Sequence, residues 1–238
     1  MNIALIGYGK MGKAIYEVAK QRGHEAVLII DINNANELTV ENLKKVDVAI
    51  EFTNPHTAFN NVRFCLQNQV PVICGSTGWL EKLDDAKKIA EENKTGLIVA
   101  SNFSVGVNIF FEINKRLASL MNAHKEYSIK LTEVHHTEKK DAPSGTSISL
   151  AEQILEQIGR KTKWINEETV SPDELAIISQ RVDPAPGTHH VNYSSAIDDI
   201  EIIHTAHNRT GFALGAVLAA EFIKDKHGFF GMKEVLNL

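Results

Sequence analysis

Cysteine is nearly missing from this sequence. Only Cys65 and Cys74 occur, and their spacing suits neither a metal site nor a redox pair. A disulfide framework is thereby excluded, and reduced, structural thiols are expected. Also missing are an apolar run of membrane-spanning length and a signal-peptide pattern, since the chain passes at once into a strand. These absences predict no membrane partner and a cytoplasmic location. Basic tracts are lacking too. A net charge of −5 argues against general nucleic-acid binding, so any anion must be met by a local cationic pocket. Neither internal repeats nor low-complexity segments occur. What is there, over 238 residues, is 43% hydrophobic and 23% charged, enough for one large domain or two small ones.

The first 23 residues read as a buried strand, a glycine turn and an apolar-periodic helix. The turn is Gly7-Tyr8-Gly9-Lys10-Met11-Gly12, a G-x-G-x-x-G flanked as a dinucleotide fingerprint requires. Gly7 permits the tight turn, Gly9 lets a pyrophosphate approach the backbone, and Gly12 lets helix and strand pack closely. A second strand, EAVLIID, ends in Asp31, at the distance where an acid binds the adenosine ribose hydroxyls. No Arg follows Asp31, which leans toward NAD(H), while Lys10 leaves a 2′-phosphate a partner. NADH, NADPH or both are the expected cofactors.

Further strands follow at VDVAIEFT (ending at Phe52-Thr53), VPVIC and TGLIV, with helices from about His56 to Gln67 and Leu80 to Glu92. This alternation predicts an α/β fold with a Rossmann-type, doubly wound parallel sheet. Ligands in such sheets sit beyond the strands' carboxyl ends. Gly75-Ser76-Thr77 and Ala100-Ser101-Asn102-Phe103 lie at two of those ends and are expected to line the nicotinamide half of the cofactor site. After Ser104 the pattern changes to a long apolar helix, packed between two substructures, and then to closely spaced strands: a second, α+β domain for substrate and oligomer contacts. Helices return from Thr210, with a small-residue face suited to close packing on the first domain. The expected domains are 1–104 completed by 210–238, and 105–209.

The stretch Glu133–Ser147, EVHHTEKKDAPSGTS, joins a strand to a helix. It sets imidazoles and ammonium groups beside the bare N–H groups of a new helix. Such a place binds a carboxylate and moves protons near neutral pH. The acids and histidines there lack any zinc spacing, so no metal is expected. His189-His190, His204 and His207 read as structural or as polar residues of the second domain.

That stretch closely resembles the signature of bacterial dihydrodipicolinate reductases, and the likeness extends through the Gly7–Gly12 loop, EFTNP, CGSTG, ASNFSVGVN and HTAHNRTGFALGAV in the family's order. The resemblance implies reduction of 4-hydroxy-tetrahydrodipicolinate to tetrahydrodipicolinate by NAD(P)H, with loss of water, in lysine and diaminopimelate synthesis. It also implies a homotetramer assembled through the substrate domain. On the matching positions, His135 is the proton donor and Lys139 protonates or stabilises the developing charge. His136 contacts substrate; the N–H groups of Gly145 and Thr146 clamp a carboxylate, and Ser144 adds its hydroxyl. A stretch between Gly187 and His204 is shorter than in longer members. Two rivals share the glycine loop: another NAD(P)-dependent dehydrogenase, such as an amino-acid dehydrogenase, and a non-catalytic NAD(H) sensor. The first has no need of the complete HHTEKKDAPSGTS run, and the second needs a partner-binding module for which no basic helix or exposed apolar segment speaks.

Overall fold

The first five strands are β1 (Asn2–Ile6), β2 (Glu25–Ile30), β3 (Val48–Glu51), β4 (Val72–Cys74) and β5 (Gly96–Val99). They alternate with α1 (Lys10–Gln21), α2 (Val40–Leu43), α3 (Pro55–Gln67) and α4 (Leu83–Glu92). The computed structural model describes residues 1–238, which divide into two units: Met1–Val105 with Arg209–Leu238, and Gly106–Asn208. β1, β3 and β4 are rich in Ile, Val, Leu and Ala and buried on both faces. This is the reading of parallel strands covered by helices on either side. Full burial of each large aliphatic side chain contributes about 1.5–3 kcal/mol. α3 begins where Asn54 accepts a hydrogen bond from the His56 N–H at 2.9 Å, with Pro55 at the first helical position. β3 stops at Glu51, short of the predicted Phe52-Thr53. The carboxylate of Glu51 turns the chain there by accepting from the Thr53 N–H at 3.1 Å.

The second unit holds all but the first residue of α5 (Val105–Met121) and continues through β6 (Ser128–His135), α6 (Gly145–Gln157), β7 (Lys163–Ile165), β8 (Glu174–Arg181), β9 (Thr188–Ser194) and β10 (Asp199–Thr205). Its sheet runs β10-β9-β6-β8-β7. β6 pairs parallel with β8 and antiparallel with β9. Alternation along β6 buries Ile129, Leu131, Glu133 and His135, and the first two share a core with Phe110, Leu150 and Ile154 of α5 and α6. The stretch 187–204 contains β9 and most of β10, which form a regular antiparallel hairpin.

The tail returns to the first unit as α7 (Thr210–Ile223), β11 (Gly228–Phe230) and α8 (Met232–Leu236). Close packing of α7 rests on its small residues. A Cβ on Gly215 would lie 1.7 Å from the Phe103 carbonyl oxygen. Arg22 and His24, just after α1, reach Glu221 of α7 at 2.7 Å. β11 adds a sixth parallel strand beside β5, giving the order β11-β5-β4-β3-β1-β2. The sequence reading missed this strand and β7. Each has three residues, too few to show a period, and each is an edge strand fixed by pairing with one neighbour.

Candidate active site

In the first unit the glycine loop joins β1 to α1 in a tight turn. Gly7 has φ +99°, and a Cβ there would meet the Phe52 carbonyl oxygen at 2.3 Å. A Cβ on Gly12 would meet the Gly7 carbonyl oxygen at 2.1 Å, so helix and turn touch directly. Gly9 differs: a Cβ there meets nothing within 4 Å, so its bare face fronts open space at the start of α1. A cavity of about 470 Å³ opens beside it, lined by Gly7, Tyr8, Gly9, Asp31, Ile32 and Thr53 among others. Space of this size at a helix N-terminus, with a carboxylate at its rim, fits the adenosine and pyrophosphate of a dinucleotide. Asp31 is exposed and held in place: its Oδ1 accepts from the Ile32 N–H at 2.8 Å, and its own N–H donates to Asn34 Oδ1 at 2.7 Å.

The other expected cofactor residues distribute unevenly. Lys10 is exposed at the first position of α1, whereas Met11 packs partly against the core. Gly75-Ser76-Thr77 and Ala100–Phe103 follow β4 and β5 directly, and the Ala100 N–H donates to the Cys74 carbonyl at 3.2 Å. Thr77 and Ser101 are exposed there. Two side chains depart from the expectation. Phe103 is buried against Phe52, with ring centroids 5.6 Å apart, so its ring is core and only its backbone is left for a ligand. Ser76 is likewise buried. Gly75 has a packing role as well, because a Cβ there would stand 2.2 Å from the Phe52 ring.

In the second unit, β6 delivers Glu133 and His135 to the inner face of the sheet, under the start of α6. Both Glu133 oxygens accept from the Ser144 N–H at 3.0 and 3.1 Å, and Ser147 Oγ donates to the same carboxylate at 2.7 Å. A buried carboxylate at a helix N-terminus is stabilised by those donors and by the helix dipole. Arg181, across from His135 on β8, donates to Glu133 at 3.1 Å. The same guanidinium donates to the carbonyls of Lys139 at 3.3 Å and Asp141 at 2.6 Å, pinning the loop that carries Lys139. A second clasp comes from Asp183, which accepts from the Thr137 N–H at 3.1 Å and its hydroxyl at 2.5 Å. Lys139 Nζ meets Asp141 at 2.8 and 2.9 Å. The loop therefore sets an imidazole, an ammonium and the first turn of α6 around one strand end.

His135 is buried, and its ordinary pKa is lowered, first by loss of hydration and then by the positive charges of Lys139 and Arg181; Glu133 and Asp141 oppose this. His189, inward on β9, touches the His135 ring edge-on at 5.1 Å, and burial drives its pKa down to about 3, so it is a neutral imidazole. Gly145 and Thr146 occupy the first turn of α6, as expected. Ser144 does not face outward as expected. Its buried hydroxyl caps the helix by accepting from the Ser147 N–H at 3.2 Å and also meets His189 Nε2 at 3.2 Å. His136 is half-buried at the head of the loop, and its carbonyl accepts from the Lys139 N–H at 3.1 Å.

Sequence reading gave no role to Arg181 or Ser147, took His189 as structural or as a polar residue of the second domain, and saw Glu133 only as an acid without metal spacing. One signal was available: Glu133 falls at an inward position of an alternating strand, where a charge survives only if paired. Ligand-type atoms of Glu133, His135 and His189 lie within 4.8 Å of one another, an approach made by the sheet and invisible in chain spacing. The Glu133 oxygens already accept from Ser144, Ser147 and Arg181, so its carboxylate is engaged by protein donors.

A nicotinamide-dependent oxidoreductase, with a Rossmann-type unit and a second α+β unit, is the class that this fold and site define. Residues 1–103 match the description "Dihydrodipicolinate reductase, N-terminus" and residues 106–236 match "Dihydrodipicolinate reductase, C-terminus". The chain belongs to the dihydrodipicolinate reductase family. It is similar to the 4-hydroxy-tetrahydrodipicolinate reductase of Christiangramia forsetii, with 48% identity over 237 residues, covering 100% of this chain and 98% of that protein. The enzyme of the same name from Methanoregula boonei is 35% identical over 198 residues, covering 82% and 76% respectively. Among solved structures, the dipicolinate-bound dihydrodipicolinate reductase of Paenisporosarcina sp. TG-14 superposes with a TM-score of 0.78 at 26% identity, over 98% of each chain. No helix is long and apolar enough to cross a membrane.

Proposed function

We propose that this chain reduces 4-hydroxy-tetrahydrodipicolinate to tetrahydrodipicolinate, with His135 as proton donor and Lys139 as the positive charge that steadies the anion being protonated. The observation that carries the reading is the meeting of imidazole, ammonium and helix N-terminus at the end of β6. The nicotinamide, when bound, supplies the hydride. The negative charge that then grows on the conjugated ring needs a proton from a placed acid and an electrostatic partner. His135 and Lys139 are those two groups. The first turn of α6, at Gly145 and Thr146, receives a substrate carboxylate, and His136 adds a contact at the loop's head. An assay coupled to enzymatic synthesis of the substrate tests the reading, and its failure to oxidise either nicotinamide would sink it.

NADH is the preferred cofactor, because Asp31 stands at the cavity rim where ribose hydroxyls donate and a 2′-phosphate is repelled. Lys10 leaves NADPH usable. Asp31→Ala should raise the KM for NADH about tenfold, the value of one lost charge-assisted hydrogen bond pair, and scarcely change that for NADPH. Parallel titration of both cofactors checks this, and an equal loss for both refutes the role of Asp31.

The functional form is a homotetramer joined through the second unit. One face of its sheet lacks helices and presents Thr132, Val134, Ile178, His190 and Ile203. Ile203 is 56% exposed in the single chain. Light scattering should return a tetramer, and Ile203→Asp should reduce it to smaller species. A monomeric unmodified protein overturns the assembly.

A further inference from the structure

The carboxylate beneath His135 takes no part in the proposed reaction, yet it is the most completely engaged acid of the second unit. Glu133 is fully buried on β6, two residues before His135 and so on the same side of the strand. Burial alone would raise its pKa. Hydrogen bonds from Ser144 and Ser147 outweigh that and hold it at about 2, so it is a fixed negative charge at every working pH. His135 Nδ1 lies 3.6 Å from Glu133 Oε2, is fully buried, and has no other partner. At the far side of the ring, a Cβ on Gly187 would come within 3.2 Å of Nε2, and Gly187 has φ +151°. A side chain there would crowd that nitrogen, so the glycine keeps it uncovered. His189 does not compete for the carboxylate, since its Nε2 is 4.0 Å from Glu133 but 3.2 Å from Ser144 Oγ.

We propose that Glu133 is a positioning residue for His135: it holds the Nδ1 proton toward itself, leaves Nε2 as the proton-donating atom, and works against Arg181 to set how firmly the ring keeps its second proton. The proposal rests on the reading of His135 as proton donor. The charged groups that face the imidazole divide evenly. Glu133 of β6 and Asp141 of the loop favour imidazolium, while Lys139 of the loop and Arg181 of β8 disfavour it. A role limited to capping α6 would survive loss of the charge in geometry, because one glutamine oxygen can still accept, though more weakly, from both Ser144 and Ser147. Charge, and not shape, is therefore what the test must change.

The test is nitrogen NMR on the full chain labelled at histidine, with His135 assigned by its loss in His135→Asn. In the unmodified protein, above its pKa, His135 should carry its proton on Nδ1. Glu133→Gln should lower the His135 pKa by about 1 pH unit, at the low end for loss of an opposite charge at this range, and Arg181→Met should raise it. The alkaline limb of kcat should move in the same direction in each variant. A proton on Nε2, a pKa unmoved by Glu133→Gln, or equal displacement in both variants overturns the proposal. If the imidazole moves and kcat does not follow, the positioning stands and the proton-donor reading falls. Should neither variant fold, the protonated nitrogen in the unmodified protein decides alone.

Discussion

His135→Ala is expected to lower kcat by about a hundredfold or more while leaving the substrate KM nearly unchanged, the mark of a general acid removed from the transition state. The ring is rigidly placed between β8 and β9, with His189 against its edge, so alanine deletes the acid without releasing the loop. That loop is held by Arg181 and Asp183, neither of which needs the imidazole. The pH profile adds a second check. His135 must be protonated to act, so activity is retained on the acid side and lost as pH rises through its pKa. Burial, Lys139 and Arg181 place that pKa below the ordinary histidine value in the free protein. The limb of kcat/KM, which reports free enzyme, should therefore lie below about 6.5. A doubly negative substrate favours imidazolium, so the limb of kcat, which reports the complex, should lie higher. An unchanged kcat in His135→Ala, or two coincident limbs, refutes the assignment.

How far the sequence reveals this site depends on whether each contact is local. The glycine loop is legible because Gly7, Gly9 and Gly12 act within one turn, against the strand and helix that flank it. His135, Lys139 and the start of α6 are legible for the same reason. Phe103 is not, because its burial comes from Phe52 and from α7, more than a hundred residues later in the chain. Ser144 points inward because Glu133 and His189 converge on the start of α6, a fact of strand pairing. Arg181 stands farthest from any motif. Its role arises from parallel pairing of β6 with β8, which places it beside His135 at a separation of many residues. The strands β7 and β11 are hidden for another cause: three residues carry no period, and only the neighbouring strand makes them regular.

Lys139→Ala should cost kcat about 10²–10³-fold, the range for deleting one preorganised stabiliser of developing negative charge. The substitution is unusually clean because the loop is pinned through backbone atoms. Arg181 holds the carbonyls of Lys139 and Asp141, and Asp183 holds the Thr137 N–H; all three contacts survive truncation of the lysine side chain. Lost activity then reports the ammonium itself. Lys139→Arg separates its two possible duties. A guanidinium keeps the charge but does not surrender a proton, so a variant that retains activity well above that of alanine assigns Lys139 to electrostatic stabilisation and leaves protonation to His135. Arginine no better than alanine assigns the proton to Lys139 instead. Asp141 bears on the outcome, since it binds Nζ at 2.8 Å and would compete with a substrate carboxylate for the same charge. In the double variant His135→Ala/Lys139→Ala, the loss should approach that of the worse single change and fall well short of the product. Two groups serving one protonation event act as a unit, and once the acid is gone little remains for the cation to stabilise.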